Sequence, residues 1–304
     1  MTLLFLLLVA LVGLSLPVQT AVNARLQHFL GSPLSASFVS FVVGTLVVWL
    51  VALPDLSQGV SGWAGVPWYA WTGGICGLIG VTLYIVLFPR LGGIQTVLLP
   101  ILGQIVMSML IDTFGWFGLE AKPLGLARLM GALVALAGVC LAVLRKESGQ
   151  QKEHKESLLP WQLLGILAGA LIAAQSAANG TLGGCLHSPI LASAISFTLS
   201  TLLLCVLVFS RKGERVCLSR VFSVSRPWWT WTGGVIGVFI VVGFSAAAPV
   251  LGVGLMTVVS ILGQLLSSVA IDRYGLLGAQ KIAVSWQKLV GILVVFAGAL
   301  LIYL

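Results

Sequence analysis

Amide side chains recur in this 304-residue sequence at spacings that place them together on helix faces. In each half a glutamine precedes an asparagine by four residues, one helical turn, and another glutamine lies in a later apolar run. A carboxamide donates and accepts hydrogen bonds without carrying charge, so such a set could bind a polar solute inside a membrane. Interhelical hydrogen bonding is the alternative role. The six residues are Gln19, Asn23, Gln104, Gln175, Asn179 and Gln264.

We predict that these amides bind substrate in a central polar cavity. Gln104 and Gln264 lie near the middle of their apolar runs and would form the floor of the cavity. If the two halves are inverted relative to each other, Asn23 lies toward the cytoplasmic end and Asn179 toward the outer end.

Two further pairs of residues are candidates for the site. Asp112 and Asp272 end equivalent apolar runs and are the carboxylates nearest to the glutamines, so they could couple transport to protons. Pairing with a base at the membrane interface is their alternative role. Trp71 and Trp231 open equivalent runs, either as interfacial anchors or as cavity walls that contact the substrate.

Enzyme chemistry has no support in the sequence. There is no HExxH, no GxSxG and no phosphate-binding loop that opens a helix, and the five cysteines lack metal-ligand spacing. No nucleophile, base and orienting acid come together. We therefore predict a protein that is not an enzyme and that binds neither metal nor cofactor.

The composition predicts that a lipid bilayer surrounds these residues. Hydrophobic residues make up 59% of the chain and charged residues 8%, with a mean hydropathy of +1.11. A soluble domain needs about 25% charged residues. The net charge of +8 comes from bases in short loops between apolar runs, a pattern of membrane orientation and not of nucleic-acid binding.

Ten apolar runs are each about 20 residues long, enough to cross a bilayer. Turn-forming residues such as Pro89 and Pro249 separate them. The predicted spans are 3–23, 34–53, 68–88, 93–111, 127–144, 161–182, 189–209, 228–249, 253–271 and 286–303.

The two halves of the chain repeat each other. Residues 67–77 and 227–237 share the pattern Pro-Trp-x-x-Trp-Thr-Gly-Gly-x-x-Gly, and further matches continue at this offset of 160. Nearer the start of each half the offset is 156, as for Gln19 and Gln175. Five spans per half is an odd number, so the second half enters the membrane from the opposite side. We predict two five-helix repeats, residues 1–145 and 161–304, joined by a charged linker at 146–160.

The basic residues predict the orientation of the repeats. Fourteen of the sixteen lysines and arginines fall on the side of the linker, and only Lys122 and Arg128 fall on the side of the termini. The positive-inside rule then places both termini outside and the linker in the cytoplasm.

The repeated motifs resemble the YdcZ-type branch of the drug/metabolite transporter superfamily, as two fused five-span units. The resemblance implies a ten-helix bundle around a central cavity and export across the inner membrane. Small multidrug carriers of the superfamily use a buried glutamate in their first span, and neither 3–23 nor 161–182 contains one, which favours neutral or zwitterionic solutes. The motifs include Asn23, Ser32-Pro33, Pro67-Trp68, Pro89-Arg90, Gly103-Gln104 and Ile111-Asp112.

We therefore expect a secondary transporter that exports a small organic solute by alternating access. A membrane scaffold or partner subunit is one alternative, and it predicts that Gln104 and Gln264 pack tightly with no cavity between the halves. A passive channel is another, with a cavity but no alternation. The sequence also leaves a homodimer open.

Overall fold

A computed structural model describes residues 2–56, 63, 65–121, 124–143, 158–223, 225, 227–279, 281 and 285–301. This part of the chain is helical and contains no strand. Ten α-helices have described bounds, and several are preceded or followed by short 3-10 turns. They are α1 (Thr2–Leu30), α2 (Pro33–Ala52), α3 (Gly73–Phe114), α4 (Leu126–Val143), α5 (Leu159–Cys185), α6 (Pro189–Phe209), α7 (Lys212–Ser223), α8 (Thr232–Leu251), α9 (Val253–Tyr274) and α10 (Trp286–Leu301).

Equivalent helices of the two halves begin in the same way. A serine caps the start of α2 and of α6, and a proline follows it at the first helical position, where its missing N–H costs nothing. Ser32 Oγ accepts a hydrogen bond from Ser35 N at 3.4 Å, and Ser188 Oγ accepts one from Leu191 N at 3.0 Å. The repeated Ser-Pro pair therefore fixes where both helices start.

The long helix α3 contains two membrane spans because it doubles back. It has 42 residues, yet Gln104 Nε2 donates to Tyr84 Oη at 3.4 Å. In a straight helix 20 residues would separate these side chains by about 30 Å. The reversal follows Pro89, a residue that interrupts helical hydrogen bonding, as the sequence predicts. The two resulting spans are Trp68–Leu91 and Gln95–Phe114.

The equivalent reversal in the second half is a sharper break. Helix α8 ends at Leu251, and α9 begins at Val253 after a single residue. That residue, Gly252, has a φ of 79°, a backbone conformation that favours glycine. The chain therefore reverses direction after Pro89 in the first half and after Pro249 in the second, as the sequence predicts.

Eight helical segments in the described ranges are long and apolar enough to cross a membrane. The predicted fifth and tenth spans correspond to two shorter apolar helices, α4 and α10, so the count of ten stays a prediction. These two helices cross at glycines: a Cβ on Gly138 would lie 2.5 Å from Val295 N, and one on Gly298 would overlap the backbone at Ala135.

The two halves interlock and do not form separate lobes. Helix α1 packs against α8 and α9, and α5 packs against α3, so each half's first helix lies in the other half. Glycines allow this close approach: a Cβ on Gly13 would overlap Ser260 O, and one on Gly169 would overlap Pro100 O. These two contacts are equivalent under the repeat.

Equivalent residues also meet each other, which places a two-fold axis between the halves. The hydroxyls of Thr45 and Thr201 are 2.8 Å apart. Gln104 and Gln264 exchange two hydrogen bonds, each of 3.3 Å. The arrangement is that of the two inverted repeats expected from the sequence.

A helix that the sequence analysis did not predict, α7, lies in the loop after α6. It places Glu214 against the start of α2, where the carboxylate accepts hydrogen bonds from Ser32 Oγ and Ser35 Oγ. In the other half Asp55 accepts one from Ser188 Oγ. Each carboxylate thus lies at the N-terminus of the other half's second helix, where it complements the helix dipole.

Most of the predicted linker, residues 146–157, lies outside the described residues, as does Lys122. The boundaries at 145 and 161 stay predictions.

Candidate functional site

A cavity lies between the two halves. Helices α1 and α5, which are equivalent under the repeat, supply most of its polar lining, while α2, α3, α6 and α8 supply the remaining walls. The polar residues from α1 and α5 are Gln19, Thr20, Asn23, Gln175, Ser176 and Asn179.

The two asparagines of the cavity are buried without hydrogen-bond partners. Asn23 and Asn179 are each 1% exposed, and no described residue bonds Nδ2 or Oδ1 of either amide. A buried polar group without a partner costs about 1–3 kcal/mol. An unpaired amide at two equivalent positions calls for an outside partner, which a bound water, an ion or a solute could supply.

Glycines on the opposite helices make room for these amides. A Cβ on Gly233 would overlap Asn23 Oδ1, and one on Gly73 would overlap Asn179 Oδ1. One turn further along, α8 and α3 again carry glycines, which face Gln19 and Gln175. The repeated Gly-Gly-x-x-Gly motif thus allows the close approach of backbone to amide.

Gln19 is held in place by the helix that it faces. Its Nε2 donates to Gly233 O at 3.3 Å, and the side chain is 8% exposed. This hydrogen bond uses one of the two N–H groups of the Gln19 amide, and Gln19 also lines the cavity.

Uncharged and largely apolar walls complete the cavity. Its lining contains no Asp, Glu, Lys, Arg or His from the described residues. Phe41 and Phe197, equivalent under the repeat, bring their ring centroids within 5.3 Å of each other, and Phe244 lies on another wall. The site therefore combines amides with aromatic surface and suits an uncharged or internally neutralised solute.

The central glutamines do not line the cavity. Gln104 and Gln264 bond each other, and Gln104 also bonds Tyr84, which does line it. The structure thus places them one layer behind the wall and not on the expected floor. The tight packing expected of a scaffold is present here, and so is the cavity that a scaffold would lack.

The two aspartates are buried but also lie outside the cavity lining. Asp112 is 4% and Asp272 is 1% exposed. Asp112 Oδ2 accepts a hydrogen bond from Gly254 N at 3.2 Å, so it caps the start of α9 from the other half. A role in proton coupling stays a prediction.

The two tryptophans lie in 3-10 turns and are not among the lining residues. Trp71 belongs to Trp68–Thr72 and Trp231 to Trp228–Trp231, just before α3 and α8. The ring centroid of Trp71 is 6.0 Å from that of Trp63. Contact of these residues with substrate stays a prediction.

Three polar residues that the sequence pattern did not indicate also line the cavity: Tyr84, Thr20 and Ser176. Thr20 and Ser176 follow Gln19 and Gln175 directly, and each hydroxyl also bonds a backbone carbonyl of its own helix. Tyr84 stands where the second half has Phe244. A difference between repeats at equivalent positions was the signal that could have identified it.

Metal binding has no support within the described ranges, where no group of His, Cys, Asp and Glu could hold an ion.

Comparison with known proteins identifies the same repeat. A family model described as "Putative inner membrane exporter, YdcZ" matches residues 4–141 and again residues 160–301. Among solved structures, one described as "Crystal structure of protein" matches with a TM-score of 0.62 and 19% identity, over 96% of this chain and 95% of that chain. At that identity the likeness shows the fold alone. A search of curated proteins found no match.

Proposed function

This chain belongs to the YdcZ family of inner-membrane exporters in the drug/metabolite transporter superfamily, and we propose that it carries a small uncharged or zwitterionic organic solute by alternating access. It is a multi-pass membrane protein. In the proposed cycle the solute binds between the halves, and the cavity opens to one side of the membrane at a time.

The unpartnered amides of Asn23 and Asn179 carry this proposal. They lie at equivalent positions in one cavity and offer two amide nitrogens, with four N–H donors, and two amide oxygens that no described residue bonds. A two-fold cavity gives the solute equivalent contacts with both halves, so that a change in their relative position can move access without rebuilding the site.

The energy for transport would come from a gradient. The sequence has no phosphate-binding loop of the kind that ATP-driven carriers use. Facilitated export of a solute that accumulates in the cytoplasm needs no coupling ion.

A thermal-shift screen of the purified protein against a metabolite library tests solute binding. A ligand at 100 times its Kd adds about 2.7 kcal/mol to the stability of the folded state. We expect one class of small uncharged or zwitterionic solutes to raise the melting temperature of the wild type and of Gln287→Ala, which removes an exposed amide outside the cavity. The Asn23→Ala/Asn179→Ala variant should respond far less, because two amide contacts with the solute are lost.

A scaffold is the second candidate, because the Gln104–Gln264 contact joins the halves tightly. If no solute stabilises the wild type, or if the asparagine variant responds equally, the carrier proposal is wrong and protein partners become the next target. A counterflow assay in proteoliposomes distinguishes a carrier from a channel. Solute on the far side of the membrane accelerates uptake by a carrier but not by a channel.

The expected orientation, with both termini outside and the linker in the cytoplasm, is part of the proposal, and a homodimer stays an open alternative. Protease cleavage of the linker in inverted vesicles, but not in intact cells, would support the orientation.

A further inference from the structure

The cavity is nearly symmetric in its chemistry, and Tyr84 breaks the symmetry. Seven pairs of equivalent residues line its walls, and in six of them the two members share the same chemical type. The remaining pair is Tyr84 and Phe244. Only the first half thus adds a phenolic hydroxyl to this part of the lining.

The hydroxyl of Tyr84 accepts a hydrogen bond and keeps its own proton available. Tyr84 is 5% exposed, and Gln104 Nε2 donates to its Oη. The other donor of this amide group is directed at Gln264 Oε1. Tyr84 lines the cavity, and no residue in the described part of the chain accepts a hydrogen bond from its hydroxyl.

The second half completes its hydrogen bonds within the protein. Gln264 Nε2 donates to Gln104 Oε1 and to Ser260 Oγ, and Ser260 Oγ donates to Thr257 O. The first half has Pro100 at the position of Ser260 and therefore no hydroxyl there. The second amide thus turns away from the cavity, while the first one supports Tyr84.

The aromatic walls indicate the rest of the ligand. Phe41, Phe197 and Phe244 supply apolar surface to the same cavity, and none of its described lining residues carries charge. An ion placed there would lose its hydration without gaining a counter-charge. The cavity therefore favours an uncharged molecule with an apolar ring or chain and a polar end.

We propose that Tyr84 determines the specificity and orientation of the bound solute by donating its hydroxyl proton to an acceptor on an uncharged, partly apolar molecule. A symmetric cavity would accept such a molecule in two equivalent orientations, and the Tyr84 hydroxyl, which Phe244 lacks, favours one of them. Ser40 also lines the cavity without its repeat equivalent Ser196. This inference rests on the proposed carrier function and narrows its substrate class to uncharged solutes.

Three probes of matched shape test the substrate class: phenylacetamide, phenylacetate and 2-phenylethylamine. Each has one phenyl ring and a short polar end, which is neutral, anionic and cationic respectively at pH 7. Melting temperatures of the purified full-length protein measured against probe concentration give the affinities. We expect phenylacetamide to bind at least about tenfold more tightly than either ion. Equal binding of an ion, or no binding of phenylacetamide, overturns the proposed substrate class.

The role of Tyr84 is tested with Tyr84→Phe and with the exchange Tyr84→Phe/Phe244→Tyr. Loss of one hydrogen bond to a neutral acceptor should weaken phenylacetamide binding about three- to tenfold in Tyr84→Phe. The exchange should recover part of the lost affinity, because it moves the donor to the equivalent wall, where Gln264 Nε2 already donates to Gln104 and Ser260. If the Tyr84 hydroxyl had only a structural role, a hydroxyl on the opposite wall would not recover the affinity for phenylacetamide.

Two results would overturn the assignment of Tyr84. One is wild-type affinity in Tyr84→Phe, and the other is a failure of the exchange variant to recover in a protein that melts like the wild type. If Asn23→Ala/Asn179→Ala still abolishes binding in either case, the carrier proposal stands and only the role of Tyr84 is wrong.

Discussion

Two pairs of buried amides, equivalent under the repeat, lie near the centre of this protein and differ in their hydrogen bonds. Gln104 and Gln264 bond each other, and each also bonds a nearby hydroxyl. Asn23 and Asn179 are just as buried but have no partner among the described residues. The glutamines thus join the halves, whereas the asparagines keep amide groups that no described residue bonds, which is why we propose that they bind the solute.

Hydrogen-bond satisfaction, and not residue type, distinguishes the two pairs, and on this difference we propose a structural role for the glutamines and a binding role for the asparagines. In an apolar environment each unsatisfied group costs free energy, so a protein gains stability by pairing it. Retaining two unpaired amides in one cavity lowers stability in the absence of ligand. That cost is offset when a solute supplies the missing partners.

The largest effect is expected from removing both asparagines. Asn23→Ala/Asn179→Ala should weaken solute binding about 100-fold, because two amides lose their contacts with the ligand. The melting temperature without ligand should stay the same or rise, since no hydrogen bond within the protein is lost. Titrated melting curves measure both quantities. A large drop in the unliganded melting temperature would show that these amides have a structural role after all.

A smaller effect is expected from filling the space beside one asparagine. A Cβ at Gly233 would overlap Asn23 Oδ1, so Gly233→Ala must displace the amide and should weaken binding about tenfold. Gly184→Ala is the matched control, because a Cβ at Gly184 meets no atom within 4 Å. Equal affinities in the two variants would mean that the position of the Asn23 amide does not matter for binding.

Substitution of the glutamines, unlike that of the asparagines, should lower the stability of the protein without ligand. Gln104→Met keeps the volume but leaves Gln264 Oε1 and Tyr84 Oη without their donor, which should cost about 1–2 kcal/mol of unfolding free energy. The double variant with Gln264→Met should cost less than the sum of the two single variants. Thermal unfolding in detergent measures this difference, and strict additivity would contradict a direct contact between the glutamines.

The smallest effect is expected at Asp112. Asp112→Asn keeps an oxygen that can accept from Gly254 N, and asparagine caps helices about as well as aspartate. We expect a loss below about 1 kcal/mol and an unchanged pH dependence of uptake. If uptake instead loses its pH dependence in Asp112→Asn or Asp272→Asn, the carboxylates couple transport to protons.

Much of the fold could be predicted from the sequence because its signals are local. Apolar runs of about 20 residues predicted the helices, and the Ser-Pro pairs at 32 and 188 mark the starts of α2 and α6. The repeat offset predicted which residues are equivalent. Helix α7 was not predicted because residues 212–223 are too polar to form an apolar run. Its contacts with the rest of the protein come from a few positions, including Glu214 and Leu218.

The site could be predicted only in part, because membership depends on how the helices pack. All six amides fit a central cavity by sequence, yet four line it and two lie behind the wall. The reversal within α3 brings Gln104 to Tyr84, 20 residues away, and no local pattern indicates that contact. Tyr84 itself looks like one more aromatic residue of an apolar run.

Alternating access to the cavity is the central claim, and cysteine labelling tests it most directly. Thr20→Cys, in a background without the five native cysteines, places a thiol in the cavity lining. A membrane-impermeant maleimide is added to intact cells or to inverted vesicles. Thr257→Cys, at a buried position outside the lining, is the control and should stay unlabelled. The account predicts that Thr20→Cys is labelled from either side and protected by bound solute, and labelling from one side alone would contradict it.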